Sequence, residues 1–305
     1  MASLREGAAL PARERAATAA AAPRGSAAPF EFRLSQLPVY FLLLVGAVVS
    51  FTPFFYMIST SLMTLGETIN RRLLPASPQW VNYQRAWTEA DFALYFRNSV
   101  IITALVILGV LVTCTLAGYA FARIEFPGRE AIFMILLATL MIPGTVIFIP
   151  NFLMVRGDVI PWGSWINKLP ALTVPFLSTA FIIFLFRQFF AGIPDELWDA
   201  ARIDGAGHLR FLTAVVIPMS RPVIMTAALL TFVHTWNEFL WPLLVTTTPT
   251  WRPLGIGLYT FITEAGPETQ LLMAGAVITI LPIMVVYFFT QKQFTEGIAT
   301  SGLKG

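Results

Sequence analysis

Residues 99–122 read SVIITALVILGVLVTCTLAGYAFA, twenty-four positions without a single Asp, Glu, Lys or Arg. About twenty consecutive apolar residues suffice for a helix to cross the roughly 30 Å hydrocarbon core of a bilayer. This stretch is longer than that. It is predicted to be a membrane-spanning helix, and it sets the pattern for the rest of the chain.

Five more stretches repeat the pattern, at about 37–63, 131–152, 169–190, 218–244 and 271–291. The composition agrees: hydrophobic residues make up 56% of the 305, charged residues 12%, and mean hydropathy is +0.71. Soluble domains carry about 25% charged residues, and a water-soluble fold of this composition would lack polar surface to cover itself. The expected fold class is therefore all-α integral membrane, with six transmembrane helices over residues 34–292. Pro53, Pro143, Pro175, Pro242 and Pro282 fall inside or at the ends of the spans and predict kinks, which neighbouring helices and Ser/Thr groups can accommodate. Residues 1–33, rich in Ala and Arg and poor in large apolar side chains, read as a disordered tail. A cleaved signal peptide does not fit, because the next apolar stretch is too long and lacks a small-residue cleavage site. Residues 293–305 form a short C-terminal tail.

The connections set the orientation. With the N-terminus inside, thirteen of the twenty Lys and Arg fall on inner segments and seven on outer ones, so the excess of positive charge assigns both termini to the cytoplasm. The outer segment 64–98 interleaves Trp80, Tyr83, Trp87, Tyr95 and Phe96 with charges, as interfacial helices or an aromatic-belted loop would. A net charge of +3 scattered along the chain gives no footprint for nucleic acid. Cys114 is the only cysteine, and neither His208 nor His234 has a second ligand of metal-site type.

The inner segment between the fourth and fifth spans, 193–218, opens with Ile193-Pro194-Asp195-Glu196-Leu197-Trp198-Asp199-Ala200-Ala201-Arg202-Ile203-Asp204-Gly205-Ala206-Gly207-His208. Pro194 with two acids in the first turn suits a helix start. Leu197, Ala200 and Ala201 share one face at i, i+3, i+4. Gly205 is the stop, since glycine alone enters the left-handed conformation without cost. Asp204 is expected to cap a second helix at about 206–217, ending at Pro218. The result is a hairpin with a small apolar tip edged by Asp199, Arg202 and Asp204. Spacing leaves two readings open, a knob for a groove on another protein or a plain connector.

Here the sequence resembles the permease subunits of ABC importers. Asp199-Ala200-Ala201, Gly205 and Ile217-Pro218 match that family's EAA loop, with Asp199 in place of the usual Glu. Asn82-Tyr83, Tyr95-Phe96-Arg97-Asn98-Ser99 and Trp236-Asn237-Glu238-Phe239-Leu240-Trp241-Pro242 are similar to its carbohydrate branch, of the maltose and glycerol-phosphate type. The ending Gly297-Ile298-Ala299-Thr300-Ser301-Gly302-Leu303-Lys304-Gly305 is similar to the maltose-type second permease. The resemblance implies a type I ABC-importer bundle in a bacterial or archaeal plasma membrane, multi-pass and in contact with lipid, importing a sugar or polyol. It implies that Asp199, Ala200, Ala201, Arg202, Asp204 and Gly205 couple to a separate ATPase, and that Gly302, Lys304 and Gly305 lie at the ATPase interface. It also implies a second homologous permease, an ATPase dimer and an extracytoplasmic sugar-binding protein as partners. No cofactor is expected in this chain; ATP and Mg would be held by the ATPase subunits. Gly297 and Gly302 have P-loop spacing, but the Gly-Lys-Ser/Thr is missing and no strand precedes them, so no catalysis is expected.

Within the fifth span, His234 and Glu238 are four apart with Asn237 beside them. A charge at mid-bilayer costs about 2.5–3.5 kcal/mol on insertion scales and so faces a cavity or a partner. Trp236, Asn237 and Glu238 are therefore candidates to line the solute pathway, or else form a polar tie between helices. An ion-coupled secondary carrier, with Glu238 and His234 relaying protons, is the alternative; such folds show inverted repeats, and no convincing repeat is visible. An intramembrane enzyme has neither a Ser/His or Cys/His signature nor a metal-ligand motif to support it.

Overall fold

The computed structural model describes residues 36–159, 163–263 and 266–302, with side chains through residue 291 apart from Thr263. The predicted tail 1–33 and, at the other end, Lys304 and Gly305 lie outside the described residues. The chain divides into two compact units, Met1–Pro53 and Phe54–Gly305. Of the first, residues 36–53 are described, and they lie almost wholly in helix α1 (Leu37–Ser61), which carries Pro53.

The second unit continues with α2 (Leu65–Ile69), α3 (Val81–Glu89), α4 (Phe92–Arg123), α5 (Arg129–Thr139), α6 (Gly144–Arg156) and α7 (Leu169–Thr173), the last extended by a 3-10 turn at Val174–Phe176. Then come α8 (Ala180–Ala191), α9 (Asp195–Ile203) and α10 (His208–Phe211), whose continuation passes through a π turn at Leu212–Val216 into α11 (Ile217–Met219). The chain closes with α12 (Arg221–Asn237), α13 (Leu240–Val245), α14 (Leu254–Gly257) and α15 (Thr269–Gly302). A two-residue antiparallel ladder, Ile262–Thr263 against Gly266–Pro267, is the only strand pairing among the described residues.

Three helices, α1, α4 and α15 as far as Gln291, are unbroken and apolar enough to span a bilayer. Three bent pairs bring the number to six: α5 with α6 at 100°, Leu169–Phe176 with α8 at 42°, and His208–Met219 with α12 at 81°. The prolines explain where two expected spans break. A proline ring collides with the carbonyl four residues back; α5 ends at Thr139, four before Pro143. Likewise α12 ends at Asn237, and Glu238, four before Pro242, turns extended at φ −68°, ψ 122°. Stretches 131–152 and 218–244 are therefore not the continuous helices their hydropathy suggests.

The core lies where α4 crosses α8 and α12. Val106, Val110, Cys114, Phe186, Phe190 and Val216 are fully buried there. Gly118 permits the approach: a Cβ at that position would stand 2.7 Å from Cβ of Phe186. A second cluster, including Phe92, Tyr95, Trp236, Leu254 and Leu271, joins α3, α4, α12 and α15. Outside these clusters Leu108, Val112, Met134 and Ile135 are exposed, the surface a bilayer rather than water would cover.

Candidate coupling hairpin and membrane cavity

Helix α9 begins after Pro194, with Asp195 and Glu196 in its first turn. It ends in a Schellman motif: Gly205 N–H donates to the Arg202 carbonyl (3.0 Å) and Ala206 N–H to the Ala201 carbonyl (2.8 Å). Gly205 takes the left-handed φ of +74° that this closure needs. The second helix differs from the expected one. Asp204 closes α9 instead of capping the next helix; Gly207 holds the N-cap position without a side-chain bond, helix starts at His208, and the segment runs through Pro218 to Met219.

The faces also differ. Trp198 and Ala201, three apart, turn toward the core, while Leu197, Asp199, Ala200, Arg202, Asp204 and Gly205 are exposed. Ile203 and Leu209 are 87% and 68% exposed, so the hairpin presents two aliphatic side chains beside its small tip. Apolar groups this accessible on a polar-edged knob fit a partner's surface.

Behind the tip the hairpin is bolted to the bundle. The Trp198 ring stacks on His208 with centroids 4.4 Å apart and planes at 17°, and Phe211 packs against it at 5.1 Å. A hydrogen bond of 2.9 Å joins His208 Nδ1 to the hydroxyl of Tyr119, on α4. Arg123, at the end of α4, donates to the carbonyls of Phe190 (3.0 Å) and Ile193 and pairs with Asp195. Arg187 donates to Glu130 at 2.9 Å and lies 3.8 Å from the centre of the Phe133 ring, tying α8 to α5. These contacts tie α9 and the start of the hairpin to the ends of α4 and α8. Sequence patterning does not single out Tyr119, Arg123, Trp198 or His208 for this role; a lone Trp in a short polar helix is the available signal.

Glu238 parts company with the other two pathway candidates, Trp236 and Asn237, which line one groove. Trp236 is 6% exposed, donates Nε1–H to the Thr279 carbonyl (3.1 Å) and stacks on Phe232, within the second core cluster. Asn237 donates to the Val233 carbonyl (2.8 Å) and lines a groove with Phe239, Tyr259 and Leu272. Glu238 lines a different cavity with His234, Thr103, Phe176 and Trp241. Its Oε1 accepts the Trp241 N–H at 3.1 Å, so the carboxylate holds the start of α13.

Residues 106–299, well over half of the chain, match the family model described as binding-protein-dependent transport system inner membrane component. The chain belongs to that family. It is similar to an arabinooligosaccharides transport system permease protein of Halalkalibacterium halodurans, 34% identical over 81% of this chain and 86% of that one. An sn-glycerol-3-phosphate transport system permease protein of Yersinia pestis is 32% identical over 75% and 83%, and a lactose transport system permease protein of Rhizobium radiobacter 30% identical over 88% and 97%. A chain of a bacterial ABC transporter involved in import of the acidic polysaccharide alginate has the same fold, with a TM-score of 0.74 at 24% identity over 86% of this chain and 98% of that one. The protein is thus a multi-pass permease component of type I ABC-importer fold, and hairpin, cavity and bent spans all lie within the family's matched region or reach into it.

Proposed function

We propose that this chain is one of two channel subunits of an ATP-driven importer for a sugar or related polyol, with its force supplied from outside the chain through the α9 hairpin. One observation carries this: an exposed, glycine-closed tip with Ile203 and Leu209 outward, fixed from behind through Trp198, His208, Tyr119 and Arg123 to the long spanning helix α4. In this reading Asp199, Ala200, Ala201, Arg202, Asp204 and Gly205 seat in an ATPase subunit on the cytoplasmic side, where both termini also lie. ATP and Mg belong to that subunit. Gly302, Lys304 and Gly305 reach the interface between two ATPase copies, and a second homologous permease completes the channel. Solute arrives from an extracytoplasmic binding protein, in keeping with the alginate-pentasaccharide-bound periplasmic protein found with a similarly folded transporter. ATPase closure tilts the bent spans against each other and alternates the access of the cavity. Among the pathway candidates, Glu238 faces the solute, with Trp236 and Asn237 supporting the break in the span. Relatives in the arabinooligosaccharide, glycerol-phosphate and lactose systems support the carbohydrate class.

The test is Gly205→Val in the assembled complex. A β-branched residue at φ +74° is strained, so sugar uptake is expected to vanish and ATPase activity to lose its response to loaded binding protein, while the chain still inserts. Uptake at the unmodified rate would refute the coupling role.

A further inference from the structure

We propose that the hairpin acts on the fifth span through a hinge at Ser220, about which α12 and α15 pivot as one body against α4, α8 and the hairpin. The inference rests on the importer reading and adds to it the joint and the two bodies that move.

The sequence removes backbone bonds where the joint stands. Pro218 and Pro222 are four apart, and neither has an N–H to give. In a regular helix the Pro218 ring would collide with the carbonyl four residues back. The segment widens instead into the π turn, where the Ile217 N–H reaches the Leu212 carbonyl, five residues back. Pro222, in the first turn of α12, cannot supply the helical bond to the Pro218 carbonyl. Between the two prolines the axis turns by 81°. The Ser220 N–H is shared by the carbonyls of Val216 (3.0 Å) and Ile217 (3.1 Å), and the next such bond is that of the Ile224 N–H to the Ser220 carbonyl at 3.0 Å. Prolines and π turns are the places where helices kink.

Ser220 is fully buried, and its Oγ has no hydrogen-bond partner. A serine at the start of a helix ordinarily has an extended backbone and accepts the N–H three residues on. At φ −95°, ψ 11° the Ser220 side chain makes no such cap. Buried hydroxyls without partners are rare in folded proteins. This one acquires the Val223 N–H when the corner opens toward extended backbone, so the joint has a second, capped arrangement.

The bonding on either side defines the bodies. The hairpin and the end of α8 are fastened to α4 through His208, Tyr119 and Arg123. Trp236 fastens α12 to the Thr279 carbonyl of α15. Among the described residues no hydrogen bond or ion pair joins α12 to α4 or α8. Thr226 and Thr231 return their hydroxyls to their own helix, and the contact with the core is made by the short apolar side chains of Val223 and Ala227. Packed helices without directional bonds between them can slide. His234 and Glu238 line the cavity from the α12 side and Ser99, Ile102 and Thr103 from α4, so a pivot at Ser220 changes its width.

Spin labels in the complete complex, in a Cys114→Ser background, test this. Leu116 on α4, Phe189 on α8 and Val233 on α12 are all exposed and take the labels in pairs. Between the nucleotide-free state and the state trapped with ATP and vanadate, the 116–189 distance is expected to stay constant, and the 116–233 distance to change by at least about 3 Å. Pro222→Ala, which restores the missing N–H, should reduce that change at least about twofold. Ser220→Ala, which removes the cap, should do the same, whereas Ser220→Gly, a tolerated cap residue, should keep most of it; co-purification with the partner subunits reports intact assembly. A constant 116–233 distance beside a moving 116–189 distance would overturn the hinge, as would a full change in both Pro222→Ala and Ser220→Ala, and either result leaves the importer reading standing. ATP that moves neither pair would overturn the importer reading and the hinge with it.

Discussion

Single residues decide how the hairpin closes and how tightly the core helices approach. Gly205 has open space around it but a left-handed backbone, so its requirement is conformational. Asn tolerates that conformation and Ala less so; Gly205→Asn should keep most uptake, and Gly205→Ala should lower it severalfold, in transport assays at equal protein levels. Gly118 is the opposite case, an ordinary helical backbone with no room beside it. Gly118→Val would push Phe186 and α8 away from α4, and overpacking of this kind costs about 1–3 kcal/mol. Thermal unfolding of the purified subunit should show a lower Tm, whereas the same change at Gly46, with nothing within 4 Å, should leave Tm within error. Gly205 is legible from sequence because a glycine closing a short helix is local chemistry. The role of Gly118 is not, since it depends on a helix some seventy residues away.

At the level of elements, Arg123 ties the start of the hairpin to the end of α4. Its side chain is 8% exposed while that of Asp195 is 86% exposed, so the ion pair itself is worth little. The two backbone carbonyls matter more, at about 1.5–3 kcal/mol for a charged donor on a neutral acceptor. Arg123→Ala is thus expected to speed amide exchange across α9 by at least about tenfold, and Asp195→Ala to change it hardly at all. The connection after α1 behaves differently with acidity. Glu67 accepts the N–H groups of Thr64 and Ala76, and these bonds, that to Thr64 foremost, hold its carboxyl below the usual carboxylate range. A depressed value means the bonded form contributes above that range and is lost as pH falls through the folded value. Exchange at Ala76, corrected for its intrinsic rate, should accelerate only once pH has fallen below the ordinary glutamate range in the parent and show no such step in Glu67→Gln. The number and order of spans can be read from hydropathy, and two of the breaks from Pro143 and Pro242. Glu238 loses its helical face because the ring of Pro242 ends the helix, a consequence that i, i+4 spacing alone does not register.

For the whole molecule, the apolar exposure of α4, α5 and α6 and the family match describe one part of a larger membrane assembly. Composition is enough to reveal the membrane; Trp198, His208 and Tyr119, scattered in sequence, acquire meaning only when folding stacks them into the link between hairpin and bundle. In the proposed function, that link takes its push from an ATPase. Ala200→Cys, placed in a Cys114→Ser background and combined with a short thiol cross-linker in the assembled complex, tests this most directly. The expected result is a cross-link to the ATPase subunit and protection from a membrane-impermeant thiol reagent added outside. Labelling of the introduced thiol at position 200 from the outside, with no cross-link to any subunit, would contradict it.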